Sequence, residues 1–286
     1  MKETLITAAI AYDFDGTLSP GNMQEHSFIP KLGIPKEVFW EEANKIAREN
    51  DMDGILAYMQ LMLQKSREKG IPIRKLDFIS YGKDIELFPG VDSYFDMINE
   101  YALKQGIHID HHIISSGLRE FISGTSIARH FRNIFASGFK YDQNEVAEWA
   151  ALAINYTNKT QYLFRINKGI DNSYDNDLIN RFLPEDKKPV PFHRMIYIGD
   201  GETDVPAMKM LKYQGGATIA VFNPDITETA TGKSQEELCR ELVLQKRVDY
   251  IAQADYSRES ELVNTIKLLI DKIKINHSLS KRAIDS

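Results

Sequence analysis

Three features are scarce in this chain of 286 residues, and each scarcity excludes a class of protein. Cysteine occurs once, as Cys239, so no internal disulfide can form, and a reducing cytoplasm fits this usage. No apolar run approaches the roughly 20 residues that cross a bilayer, so we expect no membrane span. Lysine and arginine number 35 against 41 acidic residues, and the net charge of −6 argues against nucleic acid as a partner. These counts leave the oligomeric state open.

The apolar residues that are present make up 43% of the chain and supply enough material for a large core. Apolar runs with the character of buried strands occur at 5–12, 107–116, 195–198 and 217–222, and much of the chain between them has helical periodicity. Strands that alternate with helices favour a parallel sheet with helices on both faces. We therefore predict an α/β fold.

One long segment, 19–87, has no strand pattern. The spacing of its apolar residues predicts three helices, at 36–50, 54–69 and 74–82. We interpret 19–87 as an inserted helical domain. The rest of the chain, 1–18 together with 88–286, then forms the core domain.

Later segments of the core have other patterns. The stretch 134–166 alternates β-rich runs with turn clusters, among them 156–159, which predicts one or two hairpins. A helix is expected at 176–182. The end of the chain predicts a helix at 259–275, followed by a frayed polar tail at 276–286.

The most informative motif is Asp13-Phe14-Asp15-Gly16-Thr17-Leu18, directly after the first apolar run. Two carboxylates two residues apart, at the end of a buried strand, suit hard-cation binding and phosphoryl transfer. Gly16 lets the chain turn sharply away from the strand. An ordinary Asp-Gly turn would account for Asp15 and Gly16 but not for the whole hexamer.

Two later strands also end in polar residues. The second predicted strand reaches Ser115-Ser116-Gly117, and the run 195–198 continues into Gly199-Asp200-Gly201-Glu202-Thr203-Asp204. Ligands of open parallel sheets bind at the carboxyl ends of the strands. We therefore expect Asp13, Ser115 and Asp200 to converge.

Four motifs thus stand in one order along the chain: a carboxylate pair at Asp13, a serine at Ser115, a lysine at Lys168 and an acidic loop at Asp200. Together they resemble the haloacid dehalogenase-like hydrolase superfamily, and within it the phosphoserine-phosphatase-like branch. The two acidic motifs are highly specific in combination. The serine and lysine matches are weaker alone and are supported by their positions in the order of the motifs.

The resemblance covers residues 1–18 and about 88–225. It implies a Rossmann-like core in which a cap domain is inserted after the first motif. The helical segment 19–87 lies at that point of the chain.

The resemblance also implies roles for the acidic residues. Asp13 would be the nucleophile that becomes an aspartyl-phosphate, and Asp15 would protonate the leaving oxygen and then deprotonate water, while its carbonyl binds metal. Crowded carboxylates repel one another, a divalent cation offsets the repulsion, and all-oxygen ligation selects Mg²⁺. We expect Asp13, Asp15 and Asp200 as direct ligands. Asp204 is expected to act through water or to orient Lys168.

The serine motif would bind the substrate phosphate. The Ser115 hydroxyl would donate to a phosphate oxygen, and the amides of Ser116 and Gly117, at the start of the next helix, would donate as well. An ordinary helix N-cap is the alternative for Ser115 and does not exclude phosphate contact.

The lysine of the site would neutralise phosphate charge and hold the nucleophile. We favour Lys168, because Gly169 follows it and it lies near the fourth motif. Lys159 and Lys140 are the competing candidates, and a surface lysine at a helix start is the ordinary alternative for Lys168.

Several functions stay open at this level. Asp15 favours phosphate chemistry, because by resemblance the dehalogenases lack this acid. The leading hypothesis is a Mg²⁺-dependent hydrolase of a small phosphorylated metabolite. A phosphotransferase or phosphomutase with the same aspartyl-phosphate is the alternative, and a non-catalytic phosphate-binding module is a third. The acidic residue that serine phosphatases of the branch carry after the first motif has its nearest counterpart in Glu25. The local sequence differs, so phosphoserine specificity is not carried over.

Overall fold

A seven-stranded, mostly parallel sheet forms the centre of the molecule in a computed structural model. The structure describes residues 5–201 and 203–284. The strand order is β4-β3-β2-β1-β5-β6-β7. The strands are β1 (Ile6–Tyr12), β2 (Ile107–Leu118), β3 (Phe131–Tyr141), β4 (Ala147–Leu152), β5 (Met195–Gly199), β6 (Ala217–Phe222) and β7 (Tyr250–Gln253).

The sheet is parallel except at one edge, where β4 pairs antiparallel with β3. β1 lies between β2 and β5, and its last five residues are buried. Strands covered on both faces need such continuous apolar runs. The predicted α/β fold is confirmed.

Helices flank the sheet and fill the connections. Their bounds are α1 (Phe28–Leu32), α2 (Lys36–Glu49), α3 (Gly54–Lys69), α4 (Lys75–Tyr81), α5 (Val91–Lys104), α6 (Arg119–Ser123), α7 (Lys159–Lys168), α8 (Asn176–Asn180), α9 (Val205–Tyr213), α10 (Gln235–Leu244) and α11 (Glu261–Ile284). Within the described ranges, no helix is long and apolar enough to cross a membrane.

The segment 19–87 contains α1 to α4. The helices expected at 36–50, 54–69 and 74–82 appear as α2, α3 and α4, and α1 is an addition. α3 begins where the Asp53 carboxylate accepts hydrogen bonds from two backbone amides, and it ends at Gly70 in the left-handed conformation. α3 packs on α2 and on the edge strand β4. The division of the chain into two domains stays a prediction.

Two expectations for the core are corrected. β3 and β4 form one hairpin, but the turn cluster at 156–159 leads into the helix α7 rather than into another strand. Tyr162, Leu163 and Ile166 bury one face of α7, a helical spacing that the β-prone residue types obscured. At the end of the chain, α11 continues through most of the expected polar tail, whose last two residues lie outside the described part.

Candidate active site

Polar residues gather where β1, β5 and β2 end. Asp13 follows β1 directly, and its amide donates to the Ile198 carbonyl of β5 over 2.9 Å. Asp200 follows β5, and Ser115 lies near the end of β2. Parallel strands bring these ends to one edge of the sheet, as the order of the motifs indicates.

A buried lysine joins two of the acidic residues. Lys159 Nζ lies 2.8 Å from Asp13 Oδ2 and 2.7 Å from Asp204 Oδ1, and it donates to Thr203 Oγ1 over 2.8 Å. The Tyr197 hydroxyl donates to the same Asp204 oxygen over 2.7 Å. Lys159 and Asp204 are both 0% exposed, so little water screens these charges.

Burial and charge pull the pKa values of this group in opposite directions. Burial lowers the pKa of Lys159, but the Asp13 and Asp204 carboxylates outweigh it, so the net pKa is raised and the ammonium persists at neutral pH. Burial raises the pKa of Asp13, Lys159 opposes that rise, and Asp204 adds to it. Lys159 and the Phe14 amide, which donates to Asp13 Oδ1 over 2.7 Å, favour the ionised form of Asp13, but the net pKa is still raised by burial.

Three carboxylates form a group that suits a metal ion. Asp13, Asp200 and Asp204 each offer an oxygen, and these oxygens lie within 4.8 Å of one another. Among the described residues, Asp204 Oδ2 is buried without a hydrogen-bond partner. Hard carboxylate oxygens are the donors that Mg²⁺ and Ca²⁺ take, so the set fits a divalent cation.

Two glycines leave room for this group. A Cβ at Gly199 would lie 2.0 Å from Asp204 Oδ2, so a side chain there would displace the carboxylate. A Cβ at Gly16 would lie 2.6 Å from Asp200 Oδ2, and Gly16 also has a φ of +72°. The Gly that allows the turn after Asp15 therefore also admits Asp200.

Two of the expected ligands, Asp13 and Asp200, belong to this carboxylate group, and its third member is Asp204, which was expected only to act through water or to orient Lys168. The Asp15 side chain lies outside the group. Asp15 Oδ1 instead accepts from the Met23 amide over 3.0 Å. The Asp15 carbonyl as a ligand stays a prediction.

Asp15 lies against the serine motif instead. Its Oδ2 is 3.0 Å from the position that a Cβ on Gly117 would take. Burial raises the pKa of Asp15 well above its usual value, and the neighbouring Asp13 carboxylate raises it further. A carboxyl with this shift favours its protonated form.

The serine motif is a bulge in β2. The pairing of β2 with β3 shifts between Ser115 and Leu118, which leaves two residues of β2 out of the ladder. The Gly117 amide donates to Ser115 Oγ over 3.0 Å, and Ser116 Oγ is buried with no hydrogen-bond partner in the described part of the chain. The expected helix start at Gly117 is wrong, because β2 runs on and α6 begins at Arg119.

Lys168 lies elsewhere, which corrects the expected lysine. Its ammonium donates to the Arg181 carbonyl over 2.7 Å and to the carbonyl of Ile179. Lys168 ends α7, and Gly169 follows it in the left-handed conformation that closes helices. The Lys-Gly pair is therefore a helix end, and the lysine beside Asp13 opens the same helix at Lys159.

Sequence reasoning missed two further polar contacts of the site. Tyr197 lies inside an apolar strand and Thr203 inside the acidic loop, and each meets a partner from a different part of the fold. No local pattern distinguishes Tyr197 from other buried aromatic residues. Lys159 had a signal, because it ends a turn cluster and precedes a helical apolar face.

The family of the chain emerges from comparison with known proteins. The sequence model of a protein family described as Putative Phosphatase matches residues 8–221 of this chain. A protein of Borreliella burgdorferi, named only as an uncharacterized protein, is 28% identical over 93% of this chain and 97% of its own length.

Solved structures share the fold at low identity. A haloacid dehalogenase (HAD) family hydrolase from Salmonella enterica serovar Typhi has a TM-score of 0.54 and 17% identity, over 86% of this chain and 67% of that one. A phosphoserine phosphatase solved as a phospho-aspartyl intermediate analogue has a TM-score of 0.54 and 12% identity, over 92% and 99% of the two chains. The chain shares its fold with these hydrolase structures, and the match over residues 8–221 identifies it as a member of the Putative Phosphatase family.

Proposed function

We propose that the protein is a Mg²⁺-dependent phosphatase that hydrolyses a small phosphorylated metabolite through a phosphoryl group carried on Asp13. One observation carries the proposal. Lys159 joins Asp13 to Asp204 in a buried site, and Asp200 completes a group of three carboxylates there. Such a site holds a nucleophile, a fixed positive charge and oxygen ligands at one end of the sheet.

The reaction has two halves. Asp13 attacks phosphorus, a bond forms between its oxygen and phosphorus, and the bond to the leaving oxygen breaks. Asp15, held by the Met23 amide, gives its proton to that leaving oxygen. A water then attacks phosphorus and gives a proton to Asp15, the bond between Asp13 and phosphorus breaks, and phosphate leaves with the Asp13 carboxylate regenerated.

The surrounding residues orient and neutralise the phosphoryl group. Lys159 keeps one positive charge beside the Asp13 nucleophile. The Ser115 hydroxyl can donate to a phosphoryl oxygen while its own oxygen accepts from the Gly117 amide. Bound by Asp13, Asp200 and Asp204, Mg²⁺ would supply further positive charge for the phosphate oxygens.

Access to this site favours small substrates. α3 lies over the serine motif, where the Tyr58 hydroxyl donates to the Ser116 carbonyl over 2.8 Å. Segments that cover a site exclude bulk water and restrict the size of what can enter.

Phosphoserine specificity is not part of the proposal. The Glu25 carboxylate already accepts from the side chains of Asn22, Lys36 and Trp40, at 2.8, 3.0 and 2.8 Å. An acidic residue with three donors of its own chain is poorly placed to receive a substrate amine as well.

The test is phosphate release from a panel of metabolite monoesters and from p-nitrophenyl phosphate, with Mg²⁺ and without an added acceptor. We expect release by the wild type and none by Asp13→Asn, with Asp96→Asn, at an exposed position, as the matched control. Turnover that needs an alcohol acceptor would instead identify a phosphotransferase. No release from any monoester would contradict the proposal.

A further inference from the structure

A hydrogen bond connects the helical segment to the loop that carries Lys159. Asp53 stands before α3, and its Oδ1 caps the helix by accepting from the amides of Ile55 and Leu56, at 2.9 and 3.1 Å. Its other oxygen, Oδ2, accepts from Asn155 Nδ2 over 2.7 Å. The two carboxylate oxygens therefore serve two different parts of the chain.

Asn155 in turn organises the first turn of α7. Its amide donates to Asn158 Oδ1 over 2.7 Å, and its Oδ1 accepts from the Asn158 amide over 3.1 Å. Its carbonyl accepts from the Lys159 amide over 3.2 Å. All four polar atoms of Asn155 thus make hydrogen bonds, and all but Nδ2 hold the loop that ends at Lys159.

The same helix makes a second contact close to the reacting groups. Five residues after Asp53, Tyr58 donates to the carbonyl of Ser116, which lies between Ser115 and Gly117. α3 therefore contacts both core segments that would hold the phosphoryl group. A rigid helix with two such contacts fixes the segments relative to each other.

We propose that Asp53 and Asn155 are a pair of positioning residues, through which the docked helical segment holds Lys159 in register with Asp13. This inference rests on the proposed function, because its kinetic effect is on that reaction. Asp53 touches no reacting group, and it acts through Asn155 on the backbone of Lys159.

An exchange of the two side chains tests the pair. Asp53→Asn keeps an oxygen for the helix cap, since Asn caps as well as Asp, but it turns an amide donor toward the donor of Asn155. Asn155→Asp keeps the oxygen for the loop but sets two carboxylates against each other. The double variant Asp53→Asn with Asn155→Asp restores one donor and one acceptor, and its net charge is that of the wild type.

We expect each single variant to lower kcat by about tenfold, the range for loss of a hydrogen bond to a charged group, and the double variant to recover to within about threefold of wild type. KM for p-nitrophenyl phosphate should change less than kcat, because the variants misplace Lys159 beside the nucleophile and leave the binding surface in place. The melting temperature of Asp53→Asn should fall by about 3–5 °C, since the helix cap is kept and only the bond to Asn155 is lost, and it should recover in the double variant. Additive losses without recovery in the double variant would overturn the pairing.

Amide hydrogen exchange gives a second readout that needs no activity. In Asp53→Asn, exchange should accelerate at residues 155–159, far along the chain from the substitution, and return toward wild type in the double variant. Exchange that rises only in α3 would overturn the inference. If the variants show the expected exchange but the wild type releases no phosphate, the proposed function is contradicted and the contact between Asp53 and Asn155 stays established.

Discussion

Replacing Lys159 by methionine is the sharpest perturbation of the site, because it removes one charge and keeps the length of the side chain. Nζ lies 2.8 Å from Asp13 Oδ2 and 2.7 Å from Asp204 Oδ1. At an effective dielectric constant of about 20, each attraction is on the order of 6 kcal/mol before desolvation is subtracted. Breaking a buried ion pair on one side has a net cost of about 3–5 kcal/mol.

We therefore expect Lys159→Met to lower the melting temperature by about 6–12 °C, and to lower kcat/KM for phosphate release by about 10²–10³-fold. The stability is measured by thermal unfolding. The activity is measured well below the transition, on protein whose circular dichroism spectrum matches that of wild type. Lys159→Arg keeps the charge but overfills a fully buried position, so we expect it to lose activity as well.

Lys168→Met is the matched control, because it removes a lysine from the other end of the same helix. It deletes hydrogen bonds to two carbonyls far from Asp13, with an expected cost of about 1–2 kcal/mol and activity within about twofold of wild type. If Lys168→Met were inactive while Lys159→Met kept wild-type activity, the assignment of the lysine would be refuted.

Three further predictions concern the carboxylate group, the metal and the core. Gly199→Ala should lower phosphatase activity at least about tenfold, because its Cβ would lie 2.0 Å from Asp204 Oδ2. Gly54→Ala is the control and should keep wild-type activity, because its Cβ would meet no described atom within 4 Å. Equal activities of the two variants would contradict the close approach of Gly199 to Asp204. Mg²⁺ at about 100 times its Kd should stabilise the wild type by about 3 kcal/mol and so raise its melting temperature. Asp200→Asn should abolish this rise. A wild-type melting temperature that Mg²⁺ leaves unchanged would count against the metal site. Burial lowers the pKa of His111 to about 3 in the folded protein, whereas the imidazole of the unfolded chain is protonated below about pH 6.5. The contribution of neutral His111 to the free energy of unfolding is therefore complete above about pH 6.5 and falls as the pH drops toward 3. Denaturant unfolding should show a loss of about 2 kcal/mol between pH 7 and 5 from this residue, and a His111→Asn variant that lost as much as wild type would refute it.

The sequence predicted those parts of the fold that local patterns determine. α3 has the bounds that its periodicity indicates, because Asp53 caps its start and Gly70 closes its end. The carboxylates of the first and last motifs also follow from a local pattern, because each comes directly after a buried strand. Strand ends in a parallel sheet meet in space by topology alone.

The rest depends on contacts between distant parts of the chain. Lys168 had the local pattern of the expected lysine, but that pattern belongs to a helix end, and only the packing of α7 on the sheet shows which of its lysines faces Asp13. The place of the Asp204 carboxylate beside Asp13 and Asp200 follows from the direction of its side chain at a turn, which sequence spacing does not determine. The sequence analysis predicts neither β7 nor α10, because β7 has only four residues and α10 buries only Gln235 and Cys239.

Acid quenching of the wild type during turnover, followed by mass spectrometry of its peptides, tests the central claim most directly. We predict one added phosphoryl group on Asp13, found only with Mg²⁺ and a hydrolysable monoester, and absent from Asp13→Asn. Turnover with an unmodified Asp13, or with the phosphoryl group on another residue, would contradict it.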